Sequence, residues 1–157
     1  MPRQRNIIII YDKQKRFKRF SKQKISWCKS FDFKRRYQGC IYLGGYAVEL
    51  LLKYNICKIF EFTNGFPESK NEFNGYKSKV KQQFINVTSI RDFKTHDLPK
   101  LLTYSGKEYD IKALALVEWD TIKTWNPEFR YKNQIIRKQN ATNILSCIEK
   151  IKHILLS

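Results

Sequence analysis

Two adjacent glycines, Gly44 and Gly45, stand in the middle of the run Tyr42-Leu43-Gly44-Gly45-Tyr46-Ala47-Val48-Glu49-Leu50-Leu51-Leu52-Lys53. Each glycine inside a helix costs roughly 1 kcal/mol against alanine, so a close contact must offset that loss. Ile41, Val48, Leu51 and Leu52 supply a core face. The pattern therefore predicts a helix over residues 35–57 that another helix backbone approaches closely at Gly44, Gly45 and Ala47.

Elsewhere the apolar residues recur at three- and four-residue steps and nowhere alternate as in a sheet. Phe17, Phe20, Trp27, Cys28 and Phe31 predict a first helix whose opposite face carries Lys13, Lys15, Arg16, Lys18, Arg19, Lys22 and Lys24. Phe73, Tyr76, Val80, Phe84 and Val87 predict a third helix ending near Thr88, after a turn-rich loop over residues 61–75. Asp97 before Leu98-Pro99 suits the start of a short helix that Ser105-Gly106 stops. Ile111, Leu114, Val117 and Ile122 predict a helix over residues 108–124, and Ile136, Ile144, Ile148, Ile151 and Leu155 a final one interrupted only by Asn140. The expected fold is all-α, an antiparallel bundle of about five helices over residues 12–157, with an N-terminal arm over residues 1–11. Ile7–Tyr11 reads equally as an edge strand, a docking arm or part of the first helix.

At 157 residues the chain is long enough for one domain with its own core. Its net charge of +17 makes nucleic acid the default partner. Residues 1–38 carry 13 Lys and Arg against Asp12 and Asp32, a net +11, which places the electrostatic footprint in the N-terminal third. Lysine-rich composition inherited from an AT-rich genome is the bland alternative. Cys28, Cys40, Cys57 and Cys147 lack the close pairs of a zinc site and read as free thiols in a reducing compartment. With only His96 and His153 a histidine-rich metal site is excluded, and no metal or cofactor is expected. The apolar run Ile7–Tyr11 is too short for a signal peptide or a membrane span, so a cytoplasmic protein is expected.

The Gly-Tyr-Ala-Val-Glu helix, followed by Thr95-His96-Asp97-Leu98-Pro99-Lys100-Leu101-Leu102, resembles the HEPN domain. That small helical fold occurs in RNA-targeting toxins, defence nucleases and partners of nucleotidyltransferases. HEPN ribonucleases carry an arginine a few residues before a histidine, as in Arg91-Asp92-Phe93-Lys94-Thr95-His96. The resemblance implies a homodimer that cleaves RNA without metal, with His96 as general acid-base and Arg91 as phosphate clamp. It equally implies a non-catalytic module, because members of the branch with this glycine helix and His-Asp-Leu element often have no demonstrated nuclease activity. Such a module binds nucleotide, RNA or a protein partner, an antitoxin or a nucleotidyltransferase, and His96 then braces a helix start.

Lys15, Arg16, Lys18 and Arg19 are the expected phosphate contacts. Phe17 and Phe20 among them face the core or stack on bases. Arg130 and Tyr131, between a proline loop and a long helix, read as a phosphate-and-base contact or as a helix-end packing pair. Glu49 requires a partner if buried, an Arg or Lys in the core or at a dimer interface, and an acid-base role is the less favoured reading. His153, among Ile151, Ile154 and Leu155, reads as structural.

Overall fold

The computed structural model describes residues 37–62, 65–87, 89–131 and 136–157, together with Arg19 and Gln23. Helix α1 (Tyr37–Ile59) is followed by α2 (Lys70–Asn74), α3 (Lys77–Gln83), a 3-10 turn (Ile90–Asp92) and α4 (Leu98–Tyr104). Then come α5 (Glu108–Leu114), α6 (Leu116–Ile122), a second 3-10 turn (Pro127–Tyr131) and α7 (Lys138–Leu156). No strand occurs among the described residues, and the fold is an all-α bundle. The expected N-terminal arm, the first helix, and Lys15, Arg16 and Lys18 lie outside the described residues.

The two glycines of α1 turn out to have different reasons. A Cβ on Gly44 would lie 2.6 Å from Ile148 Cδ1, so this glycine makes room for the end of an α7 side chain and not for a helix backbone. On Gly45 a Cβ would lie 2.4 Å from Cδ1, Cδ2 and Cε2 of Trp125. These are atoms of one five-membered ring, so the indole lies flat on the α1 backbone. At both glycines the visitor is therefore a side chain, flexible at Gly44 and a rigid ring at Gly45, where the sequence pattern predicts a helix backbone.

Helices α1 and α7 run in the same sense. Gly44 meets Ile148, and further along both helices Asn55 Nδ2 donates to Leu155 O at 2.9 Å and to Leu51 O at 3.0 Å. Those two bonds satisfy a buried amide that would otherwise cost stability. Helix α6 runs against α7, with Lys150 Nζ donating to Glu118 Oε1 at 2.7 Å while Ile122 faces the pocket that Ile144 and Ile148 also line.

Two expected long helices are broken. The third splits at Gly75–Tyr76, and its first piece starts inside the expected loop because Ser69 caps it, accepting from Glu72 N at 3.1 Å. The fourth splits at Ala115, whose φ of −150° and ψ of 37° leave the helical region. Ala115 and Trp119 join Ile111 and Ile122 in the core, while Leu114 and Val117 face solvent. Asp97 and Ser105 cap α4 at its two ends, and Gly106 follows at φ +67°. Behind α4 a cluster of buried rings, Phe60, Phe62, Phe73 and Phe93, packs with centroids such as Phe60–Phe93 at 5.4 Å and Phe93–Tyr104 at 5.1 Å.

Candidate active site around His96

Tyr42, Tyr46, Glu49 and Lys53 follow one another at four-, three- and four-residue steps, so they form a single stripe along α1. Glu49 is the centre of it. Its side chain is 2% exposed, and both oxygens are used: Oε1 meets Lys53 Nζ at 2.6 Å and Oε2 meets His96 Nδ1 at 2.9 Å. Lys53 is 15% exposed and its Nζ also lies 5.8 Å from the Phe66 ring centroid, whereas His96 is 52% exposed. A buried carboxylate is tolerable only with such partners. Because a carboxylate only accepts, the neutral histidine carries its proton on Nδ1, and Nε2 keeps the lone pair.

The segment that delivers His96 is tied down on each side. Phe93 is fully buried in the ring cluster, and Lys94 Nζ donates to Glu68 O at 2.9 Å. Ser89 N donates to Asp92 Oδ2 at 3.0 Å, closing the 3-10 turn. Asp97 then caps α4, accepting from Lys100 N at 3.0 Å, while its own N–H donates to Thr95 Oγ1 at 3.1 Å. His96 thus sits between two fixed points, and its side chain has one direction in which to meet Glu49.

An aromatic wall continues the stripe. Tyr46 has its ring centroid 6.2 Å from His96, 5.7 Å from Tyr42 and 5.6 Å from Trp125. Burial, and after it the Glu49 carboxylate, push the Tyr46 phenol above its ordinary value, while Arg130 pulls it the other way. Arg130 lies on the second 3-10 turn, which Gln38 ties to α1 by donating from Nε2 to Phe129 O at 2.9 Å. Its guanidinium donates to the Tyr131 hydroxyl and lies over the Tyr131 ring, Cζ 4.5 Å from the centroid. Tyr131, and more weakly Tyr42, hold the guanidinium's pKa above its ordinary value.

The other residues singled out in the sequence are placed as follows. Arg91 is exposed on the first 3-10 turn and makes no hydrogen bond or ion pair with a described residue. Arg19 is helical and exposed. His153 is exposed on the last turn of α7. Cys57 is buried, and burial alone pushes its thiol up to about 12. The partner of Glu49 is the feature that sequence reasoning missed: Lys53 fits the expected basic partner, but His96, singled out separately, is the second. No group of three or more potential metal ligands occurs among the described residues, and no helix among them is long and apolar enough to cross a membrane. No protein-family model, no curated protein and no solved structure matches the chain.

Proposed function

We propose that the chain is an RNA-directed endoribonuclease of the toxin or defence type that its sequence resembles, working as a homodimer without a metal ion. The observation that supports this best is the 2.9 Å contact between buried Glu49 and half-exposed His96. A carboxylate on Nδ1 fixes the ring and its tautomer and turns Nε2 toward solvent, the arrangement of a general base. His96 Nε2 takes the proton of a ribose 2′-hydroxyl, whose oxygen attacks the adjacent phosphorus as the P–O5′ bond breaks and the departing 5′-oxygen takes a proton from water. A cation must hold the phosphate, and Glu49 acts through His96 as a positioning residue. The net charge of +17 supplies the attraction for RNA.

The rival reading is a non-catalytic module that binds nucleotide, RNA or a protein partner. It is favoured by Lys53, which already neutralises Glu49 and would serve a purely structural His96 equally well. Analysis of the cut ends separates the two. The enzyme leaves a 2′,3′-cyclic phosphate and a 5′-hydroxyl, and a single 2′-deoxy substitution at the cut nucleotide blocks it. Absence of those ends favours the module.

A further inference from the structure

Two arginines compete for the phosphate of the His96 site, and they differ in how they are held. Arg91 projects from an exposed turn with no described side chain fixing it. Arg130 is on a turn that Gln38 docks onto α1, and the same turn region plants Trp125 flat on Gly45 beside Tyr42 and Tyr46. We infer that Arg130, and not Arg91, is the phosphate-binding cation of the His96 site, and that the exposed ring of Tyr131 stacks an unpaired RNA base next to it. This rests on the reading of the site as RNA-directed.

Three observations carry the assignment. First, Arg130 and His96 flank one face of α1, since Tyr46 lies 6.2 Å from His96 and 5.7 Å from Tyr42, and the turn that carries Arg130 is tied through Phe129 to Gln38, one helical turn before Tyr42. Second, the guanidinium is preorganised by Tyr131, yet no described carboxylate pairs with it, so its charge is left for a ligand. A guanidinium stacked on a ring keeps in-plane N–H groups for bidentate phosphate contact. Third, Tyr131 is 74% exposed although one face of its ring is covered by Arg130. The other face is therefore open, and stacking on it discriminates unpaired from paired bases.

The test uses the full chain and a fluorescent single-stranded RNA carrying one 2′-deoxynucleotide at the cut site, so that binding is read without cleavage, beside cleavage of the all-ribose RNA. Arg130→Ala should weaken binding roughly tenfold and lower the salt slope by about one, and Arg130→Lys should restore binding better than rate, because a point charge lacks the fork. Arg91→Ala should stay within about twofold on both readouts. Tyr131→Ala should lose roughly fivefold or more, Tyr131→Phe little, and an abasic RNA should erase the difference between them. Circular dichroism establishes that each variant is folded. Arg130→Ala that binds and cuts as the wild type does overturns the inference while leaving the nuclease reading intact. Wild type that binds with these dependences but never cuts overturns the nuclease reading and keeps the inference. Wild type that does not bind the RNA overturns both.

Discussion

Glu49 is a residue whose surroundings decide its chemistry. Removing it leaves Lys53 and His96 facing a buried vacancy, and breaking a buried pair from one side costs about 3–5 kcal/mol. Lys53 keeps some access to water, so the lower end applies: Glu49→Ala should destabilise the fold by about 3 kcal/mol in urea titration, with Glu49→Gln losing less. If Glu49→Ala melts as the wild type does, the carboxylate is not the hub assigned to it. Cys57 gives a second residue-scale prediction. Burial holds its thiol up to about 12, above the ordinary thiol value near 8.5, so the folded state resists ionisation. Stability from this site is therefore complete below about pH 8.5 and is lost as pH rises toward 12. Iodoacetamide at pH 8.5 should label Cys57 only in denaturant, as read by peptide mass spectrometry. Labelling in the native state contradicts that burial. In the sequence both Glu49 and His96 were conspicuous, one as a carboxylate in an apolar helix and one as a lone histidine before a cap. Their contact spans 47 residues and depends on how the 89–97 segment docks, which no local pattern encodes.

At the scale of elements, the contrast between Gly44 and Gly45 is the sharpest test of why α1 packs as it does. An added methyl at Gly44 meets the flexible end of Ile148, and alanine gains helix propensity, so Gly44→Ala should change stability by less than about 1 kcal/mol. At Gly45 the methyl meets a rigid, buried indole, and overpacking there should cost about 1–3 kcal/mol. Thermal unfolding of the two variants checks the ordering, and equal losses contradict the flat stacking of Trp125. Asp97→Ala should cost about 1 kcal/mol through the lost cap on Lys100 N. The α4 caps were legible because Asp-Leu-Pro and Ser-Gly are local signals. Ser69-Lys70-Asn71-Glu72 carried a local signal too, a serine followed three residues later by a glutamate, but its turn formers masked the start of α2. The break at Ala115 had none.

For the whole molecule, the net charge of +17 and the proposed two-fold symmetry each lead to a test. Over the described residues the all-α class was legible from periodicity, since the apolar residues there recur at three- and four-residue steps. Affinity for RNA should fall steeply with salt through counterion release, and neutralising Lys15, Arg16, Lys18 and Arg19 together should flatten that slope. An unchanged slope places the contact elsewhere. Light scattering should give twice the chain mass, and a strict monomer at tens of micromolar removes the two-fold composite site that the resemblance implies. The central claim is that His96, held by Glu49, moves a proton in RNA cleavage. Its most direct test is the cleavage rate of single-stranded RNA in chelator, wild type beside His96→Ala at matched folded concentration. Metal-free cutting by the wild type and a loss of roughly a hundredfold or more in His96→Ala are expected; no cutting by the wild type, or equal cutting by both, contradicts proton transfer by His96.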